Sequence, residues 1–585
     1  MLSSLGRPHL VVRLPGDEGD HHRAPVTGSG TTAVGPLMVA VQETKDGWAW
    51  SVVNTTDAPL AVTSVSLTWD AGPAGETPRF FRNGYQSWSR TGVAVLGVDT
   101  DPSRAMGAPS LVRGMHHADA TVAAEGVLRS EMVTVLDLGV GDDLRLIGFL
   151  GGTEHDGTIR ASLTDDRHVT LSAEAFFGGA VLAPAEERPL HVVTVVDGPR
   201  GSAPELLESW AARVGKAGMA RTGAAFQVGW CSWYHYFHDI SEDALRANLA
   251  LAGDWPFEVF QLDDGYQADI GDWLRTNERF PSSLDALADD IEAAGVTPGI
   301  WLAPFLVGPD SEVATAHPDW IAPHTSGKPL IGMVNPGWGG QVHTLDTTIP
   351  EVLAHIEGVA AHLVDAGFPY LKLDFTYAPS MDGMFADPSR TPAQRVRAGM
   401  EAVRRGAGKK AFLLGCGLPL GVGVGIVDGM RIGADVAPWW EVQHDQWNPP
   451  GYLEVEPATR NAWVNTLTRA FMHRRLWLND PDCVMLRTAE TRMGPDAARA
   501  WALAVGASGG MALVSDDLAL LGDGARELLD EVVCLGRIAD DAARAGAAPR
   551  CDDLMSSAAP RLLSAGTVHL VGDPDDATAV VTRSS

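Results

Sequence analysis

Between residues 226 and 544 the sequence alternates between short apolar segments and longer segments with helical periodicity. Eight strands in strand–helix alternation over about 300 residues fit a (β/α)8 TIM barrel better than a doubly wound sheet. We assign residues 225–520 to this barrel and 521–545 to its last helix. The glycine-rich connection at 418–429 is short, so its helix is expected to be weak or missing. The predicted strands are residues 226–233, 257–263, 297–305, 370–375, 411–417, 430–434, 476–480 and 511–515. The predicted helices are residues 242–253, 284–294, 350–366, 391–406, 459–475, 495–507 and 527–544.

The two ends of the chain lack this alternation. Residues 1–200 contain many short β-rich segments separated by Gly, Pro and Asp, which predicts an N-terminal β-sandwich. Residues 201–224 predict a helical linker, with Leu207 and Trp210 on its apolar face. Residues 546–585 predict a small C-terminal β domain. The expected fold class is therefore a multidomain α/β protein with all-β flanks.

Charge and cysteine content exclude several kinds of partner. With 74 acidic and 44 basic residues the formal net charge is −30, so phosphate backbones and anionic lipid are repelled. Neither nucleic acid nor a membrane is expected as a partner. Five scattered cysteines show no zinc-type spacing. Residues 1–8 lack the apolar core of a signal peptide, so a cytoplasmic location is expected. Whether the protein is a monomer or a homo-oligomer is left open.

Polar and aromatic residues gather where the predicted strands end. Active sites of (β/α)8 barrels are built at the carboxyl ends of the strands, so these side chains are expected to share one pocket. In chain order they are Trp233, Tyr234, Asp263, Asp264, Trp301, Lys372, Asp374, Cys416, Gly417, Arg431, Asp435, Asp480, Asp482, Asp516 and Asp517.

Two chemistries suit such a pocket. Aspartates at strand ends often hold Mg²⁺ or Zn²⁺, but no histidine stands among these residues. Indole rings with acidic and basic groups around them suit a sugar, whose hydroxyls hydrogen-bond while its C–H face stacks on the ring. We therefore expect a sugar site with no metal and no cofactor.

Two carboxylates on different strands suggest cleavage of a glycosidic bond. Asp374 suits the nucleophile because the adjacent Lys372 favours its charged form. Asp435 suits the acid/base because its sequence neighbours are apolar, which favours the protonated form. Two alternatives remain open at this point. Lys372 with Asp374, and Arg431 with Asp435, are equally explained as structural ion pairs.

One segment of the predicted sandwich is polar and aromatic, with the sequence GYQSWS at residues 84–89. It suits a loop that presents Tyr85 and Trp88 to a ligand. Aromatic residues half-buried at a sandwich edge are the commoner explanation from the residues alone.

Six motifs of the barrel, in this order, resemble glycoside hydrolase family 36, and in particular its shorter α-galactosidases (melibiases). They are GWCSWY (229–234), QLDDGY (261–266), KLDF (372–375), GCG (415–417), DGMRIG (428–433) with Asp435, and WLNDPDC (477–483). The resemblance covers about residues 225 to 520, and the predicted sandwich is similar to the amino-terminal domain of that family.

The resemblance implies a role for each matching position. Asp374 falls on the nucleophile and Asp435 on the acid/base of a retaining exo-α-galactosidase that needs neither metal nor nicotinamide cofactor. Asp263 and Asp264 fall on the carboxylates that hold the galactose 4- and 6-hydroxyls. Trp88 is similar to a sandwich tryptophan that covers the pocket. Residues implied in the pocket wall are Trp233, Tyr234, Trp301, Lys372, Cys416, Gly417 and Arg431.

Other functions remain open. The same mechanism suits an α-N-acetylgalactosaminidase or a galactosyl-transferring, raffinose-synthase-like relative, and a non-catalytic galactose-binding protein is a third alternative. A retaining enzyme places its two carboxyl groups roughly 5–5.5 Å apart, whereas an inverting enzyme places them roughly 6.5–9.5 Å apart. We expect the shorter separation between Asp374 and Asp435.

Overall fold

The computed structural model describes residues 5–17, 21–105, 110–443 and 453–584. Residues 1–4, which entered the expectation about a signal peptide, lie outside these ranges. The fold class expected from the sequence is confirmed: two all-β sheets precede an eight-stranded parallel barrel, and a small β-sheet follows it. No helix among the described residues is both long and apolar enough to cross a membrane.

The amino-terminal region is a sandwich of two antiparallel sheets with strand orders β2-β1-β6-β13-β12-β9 and β3-β4-β5-β14-β11-β10-β7-β8. Alternating side chains of both sheets form a separate apolar core, as the period of 2 along a strand requires. The strands are β1 (His9–Arg13), β2 (His22–Pro25), β3 (Gly30–Val34), β4 (Leu37–Thr44), β5 (Gly47–Asn54), β6 (Leu60–Pro73), β7 (Arg79–Arg82), β8 (Gly92–Val95), β9 (Val127–Glu131), β10 (Val133–Asp137), β11 (Asp143–Phe149), β12 (Asp156–Leu163), β13 (His168–Leu182) and β14 (Glu187–Pro199). Its helices are α1 (Pro102–Ala105) and α2 (Ser110–His116), and α3 (Ala203–Ala217) leads to the barrel.

The barrel sheet has the order β24-β23-β22-β21-β17-β16-β15-β25, with every registered pair parallel. The Met511 N–H donates to the Asn479 carbonyl, 2.9 Å away, across the seam between the first and last of these strands. The strands are β15 (Val228–Cys231), β16 (Val259–Leu262), β17 (Thr297–Leu302), β18 (Leu306–Val307), β19 (Ile331–Asn335), β20 (Gly340–Thr344), β21 (Tyr370–Leu373), β22 (Phe412–Gly415), β23 (Gly429–Arg431), β24 (Leu478–Asp480) and β25 (Ala512–Val514). The helices are α4 (Trp233–Tyr236), α5 (Glu242–Ala252), α6 (Leu284–Ala293), α7 (Glu312–Ala316), α8 (Pro350–Asp365), α9 (Pro392–Ala407), α10 (Leu420–Gly423), α11 (Thr459–Thr468), α12 (Pro495–Ser508) and α13 (Asp523–Arg544).

One confirmed expectation and two differences from the sequence expectation bear on the site. The fifth connection holds only the four-residue α10, as its glycines predict. The helix expected over 459–475 ends at Thr468, and the chain turns at Arg469. Strands β18, β19 and β20 form a separate three-stranded sheet between β17 and α8, which the sequence did not predict.

The carboxyl-terminal sheet has the order β26-β27-β28-β29. Its strands are β26 (Arg550–Cys551), β27 (Leu562–Ala565), β28 (Val568–Asp573) and β29 (Thr578–Arg583). It packs on the outside of the barrel, where Trp463 of α11 donates its indole N–H to the Pro560 carbonyl, 2.9 Å away. This sheet therefore lies against the barrel helices and supplies none of the predicted site residues.

Two buried carboxyl groups of the sandwich predict a pH-dependent stability. Burial raises the pKa of Glu131 to about 7, and burial together with the Glu131 charge raises that of Asp156 to about 8. Between about pH 4 and pH 8 the folded state keeps protons that the unfolded chain releases, so stability falls as pH rises. Glu131→Gln combined with Asp156→Asn is expected to raise the thermal midpoint more at pH 8 than at pH 5. Glu125→Gln, on the surface, is the control; an equal shift at both pH values would contradict this account.

Candidate active site

Asp374 lies one residue beyond β21, at the carboxyl end of the barrel, and its side chain is almost fully buried. Its Oδ1 accepts the Phe375 N–H at 2.9 Å, and its Oδ2 accepts the Trp301 indole N–H at 3.0 Å. Burial raises the pKa of Asp374 above its usual value, and the charge of Asp435 adds to this, whereas Lys372, Trp301 and Cys416 oppose it. Asp374 and Asp435 therefore lie close enough to interact electrostatically.

Lys372 forms its ion pair across the barrel, with Asp263, and not with Asp374. Its Nζ lies 2.8 Å from Asp263 Oδ2, and both side chains are buried. Although burial opposes the charged ammonium, Asp263 and Asp374 hold the pKa of Lys372 well above its usual range. The structural pair considered from the sequence is therefore replaced by a contact between β21 and the end of β16, which leaves two ammonium N–H groups for a ligand.

Asp263 is held by four donors, all from the barrel. Besides Lys372, Oδ2 accepts from Gln261 Nε2 at 2.6 Å and from the Cys231 thiol at 3.4 Å. Oδ1 accepts the Asp264 N–H at 3.0 Å. A carboxylate has about four lone-pair sites in total, so Asp263 is oriented by the protein and keeps little capacity for a ligand.

Asp264 is also held by side chains that the sequence did not point to. Its Oδ2 lies 2.8 Å from Trp338 Nε1 and 3.0 Å from His238 Nδ1, and its Oδ1 accepts from Gln267 Nε2 at 2.6 Å. Trp233, predicted in the pocket wall, packs edge-on against the His238 ring at a centroid distance of 5.0 Å. Trp233 is thus connected to Asp264 through the His238 ring.

Asp435 follows β23 and is about one-third exposed, with a side-chain exposure of 34%. Its Oδ1 lies 2.7 Å from Arg431 Nη2, so the pairing considered from the sequence is present and the expected apolar setting is wrong. The sequence neighbours of Asp435 are apolar, but the side chain turns away from them toward the guanidinium. The hydrogen bond from Arg431 is made to Oδ1 and not to the second oxygen, Oδ2.

Arg431 joins Asp435 to two further groups. Its Nη2 also donates to Asp482 and, at 3.1 Å, to the Tyr234 hydroxyl oxygen, and that hydroxyl donates to Asp482. Burial raises the pKa of Asp482 to about 7 against the opposing charge of Arg431. Tyr234 and Arg431 therefore meet at the pocket as expected, and Asp482 is their shared anchor.

The sandwich loop that contains Trp88 lies in the barrel mouth. The Trp88 ring packs edge-on against Phe375 and Tyr377, with centroid distances of 5.1 and 6.0 Å. Gly417 has a φ of +58°, and a Cβ there would lie 3.0 Å from the Trp88 ring, so a larger residue would be strained and would press on the ring. The Gly417 N–H donates to Ser87 Oγ at 2.8 Å, and Cys416 is buried in the same apolar cluster as Trp88. The structure thus brings Trp88, Cys416 and Gly417 together.

Arg469 fixes this loop to the barrel. It is fully buried at the end of α11, and its guanidinium donates to the carbonyls of Ser87 and Ile432, both at 2.8 Å. It also donates to three more carbonyls of the loop at 3.1–3.2 Å, those of Gly84, Gln86 and Ser89. Sequence reasoning missed Arg469 because nothing local marks a partner almost 400 positions away.

Among the described residues no group of three or more His, Cys, Asp and Glu side chains is arranged to hold a metal ion. The strand-end carboxylates instead contact Lys372, Arg431 and N–H donors. The arrangement can bind a polyhydroxylated ligand and offers two carboxyl groups of different exposure, Asp374 and Asp435.

Comparisons with known proteins agree with this geometry. A family model described as Melibiase matches residues 227–391. The α-galactosidase AgaA of Geobacillus stearothermophilus is 27% identical over 183 residues, which cover 29% of this chain and 24% of that protein. An α-galactosidase of Escherichia coli is 26% identical over 132 residues, covering 21% of this chain and 18% of that protein. The matched segments thus span about a quarter or less of these curated relatives.

A solved structure extends the likeness beyond the barrel. TtGalA, an α-galactosidase from Thermus thermophilus in complex with p-nitrophenyl α-D-galactopyranoside, has a TM-score of 0.66 and 27% identity, covering 84% of this chain and 94% of that one. The chain is thus similar to α-galactosidases, in sequence over part of its barrel and in fold over most of its length. The GH36 α-galactosidase AgaA structure shares the fold at a TM-score of 0.57 and 14% identity, covering 96% of this chain and 72% of that one.

Four residues hold the side chains that the sequence motifs named, and three of them were not predicted from the sequence. They are His238 and Trp338, which contact Asp264, Asp482, which accepts from Arg431, and Arg469, which donates to Ile432. Asp482 stood within the WLNDPDC motif and was visible from the sequence. Trp338 and His238 had no strand-end position to mark them, because one lies on the unpredicted hairpin and the other in a short 3-10 turn after α4.

Proposed function

We propose that this protein is a retaining exo-α-galactosidase, with Asp374 as nucleophile and Asp435 as acid/base. The observation that carries the proposal is the pairing of a buried Asp374, held by two N–H donors, with a partly exposed Asp435 in the same pocket. The solved relative TtGalA, which covers most of this chain, was captured with an aryl α-galactoside and with stachyose. The pocket is closed on the sandwich side by Trp88, which suits removal of a terminal sugar.

In the first step an oxygen of the Asp374 carboxylate forms a bond to the anomeric carbon while the glycosidic C–O bond breaks. The leaving oxygen takes the proton of Asp435. The N–H groups of Trp301 and Phe375 hold Asp374 by both oxygens, which fixes the attacking direction. Lys372 keeps two donors for the sugar and places a positive charge beside the carboxylates.

In the second step water attacks the anomeric carbon, gives its proton to Asp435 and releases the Asp374 carboxylate. Arg431 holds one oxygen of Asp435, so the other oxygen is the one available for proton transfer. The partial exposure of Asp435 gives water access to it. The two displacements at the same carbon leave its configuration unchanged.

The test is a substrate panel with the wild-type protein. We expect turnover of p-nitrophenyl α-D-galactopyranoside, raffinose and stachyose, with little turnover of the aryl α-glucoside. Proton NMR in the first minutes is expected to show α-galactose before mutarotation. Faster turnover of the aryl α-N-acetylgalactosaminide would instead identify an α-N-acetylgalactosaminidase. Transfer to a sugar acceptor in preference to water would identify a galactosyl-transferring enzyme. Galactose binding by calorimetry with no turnover would make the protein a binding protein.

A further inference from the structure

Trp338 reaches the sugar pocket from outside the barrel strands. It ends the 3-10 turn Pro336–Trp338 at the tip of the hairpin formed by β19 and β20. Asn335 Oδ1 accepts the Gly337 N–H at 2.9 Å, and Gly339 closes the turn with a φ of +79°. This turn is fixed by its own sequence, and it presents a partly exposed indole to the barrel mouth.

The Trp338 ring contacts both residues that surround the nucleophile candidate. Its centroid lies 4.9 Å from that of Phe375, edge-on, and 6.0 Å from that of Trp301. Phe375 follows Asp374 in the chain, and Trp301 donates to Asp374. The ring therefore spans the gap between Asp374 and Asp264.

Its indole N–H determines what Asp264 can still accept. Trp338 Nε1 donates to Oδ2, beside which His238 Nδ1 lies at 3.0 Å, and Gln267 Nε2 donates to Oδ1. A carboxylate has about four lone-pair sites, two on each oxygen, so Oδ1 keeps one open acceptor site, whereas the second site of Oδ2 is crowded by His238. Asp264 can thus accept one hydroxyl of a bound sugar while Trp338 stays in place.

We propose that Trp338 is a substrate-contacting specificity residue that orients Asp264 toward a single sugar hydroxyl and closes the pocket beside Phe375. The inference rests on the proposed function. The hairpin of β19 and β20 thus takes part in sugar selection, because the ring face and the indole N–H of Trp338 both act beside Asp264.

Trp338→Phe keeps the ring and removes the N–H, and Trp320→Phe is the matched control. Trp320 is partly buried too, but it stacks on His317 at 3.8 Å. We expect Trp338→Phe to raise KM for the aryl α-galactoside and the inhibition constant of galactose by about tenfold, as for the loss of a hydrogen bond to a charged group. The thermal midpoint is expected to stay within about 2 °C of the wild type. The control is expected to leave both KM and the inhibition constant of galactose within about twofold of the wild type.

Deoxy substrates separate a sugar-orienting role from a structural one. Kinetics are compared on the aryl α-galactoside and its 4-deoxy and 6-deoxy analogues. We expect most of the Trp338→Phe penalty to vanish on the one analogue that lacks the hydroxyl accepted by Asp264, since the two contacts are coupled. An equal penalty on all three substrates, or none on any, would overturn the inference. Absence of wild-type turnover on every α-galactoside would instead overturn the proposed function.

Discussion

Replacing Asp374 with asparagine is expected to remove α-galactoside turnover by at least about 10⁴-fold while raising the thermal stability of the protein at pH 7. Asparagine cannot attack the anomeric carbon, but its amide oxygen can still accept the N–H of Trp301 or Phe375. Burial raises the pKa of Asp374, so the charged carboxylate destabilises the folded state at neutral pH. We expect the thermal unfolding midpoint of Asp374→Asn at pH 7 to lie about 1–3 °C above that of the wild type.

The stability gain of Asp374→Asn is expected to depend on pH, in a direction set by the raised pKa of Asp374. An acid whose pKa is raised on folding destabilises the protein above its unfolded pKa, so the gain from Asp374→Asn should shrink as pH falls toward 4. Asp540→Asn is the control of opposite sign. Asp540 accepts from Arg474 and Arg544, and its pKa lies well below the usual range. That control should lose stability above pH 4 and keep its activity. An Asp374→Asn variant less stable than the wild type at pH 7 would contradict the view that burial of the charged Asp374 destabilises the fold.

Replacing Arg469 with methionine is expected to lower kcat/KM by about 10²-fold or more, because the loop that carries Trp88 loses its attachment. Five backbone carbonyls accept from this guanidinium, and each loses a buried donor worth about 1–3 kcal/mol. No described carboxylate lies within ion-pair distance of Arg469, and burial lowers its pKa to about 9. The charged guanidinium is therefore held by backbone carbonyls, four from the loop and one from Ile432 of the barrel.

Arg474→Met separates this effect from a general loss of stability. Arg474 is buried five positions further on and pairs with Asp540, away from the site. Both variants should unfold at lower temperature, but only Arg469→Met should lose kcat/KM at a temperature where both are folded. Trp88→Ala in the Arg469→Met background should add little further loss, since both changes act through one loop. Fully additive losses, or unchanged kinetics of folded Arg469→Met, would contradict the role of Arg469 in holding the Trp88 loop.

The barrel and most of its pocket could be predicted because they depend on local patterns. Each barrel strand is a short apolar run, and a polar residue such as Asp263 or Asp374 stands directly at its end. Closure of the barrel then brings these ends together whatever the details of the helices. The family motifs named the same positions.

What the sequence did not predict depends on contacts between distant segments. Lys372 stands two residues from Asp374, yet it pairs with Asp263 on another strand. Asp435 has apolar neighbours in the chain and a guanidinium neighbour in space. Trp338 and Arg469 act from a hairpin and a helix end whose partners lie far away in sequence. The hydrophobic periodicity of the sequence does not predict such pairings.

Azide rescue tests the central claim, the roles of Asp374 and Asp435, most directly. In Asp374→Ala azide can occupy the vacated face of the sugar and attack the anomeric carbon once, and in Asp435→Ala it can replace water in the second displacement. With an aryl α-galactoside whose leaving group is activated, we predict β-galactosyl azide from Asp374→Ala and α-galactosyl azide from Asp435→Ala. Formation of the α-azide by Asp374→Ala would contradict the role of Asp374 as nucleophile. Turnover by either variant at the wild-type rate without azide would contradict the catalytic role of the replaced residue.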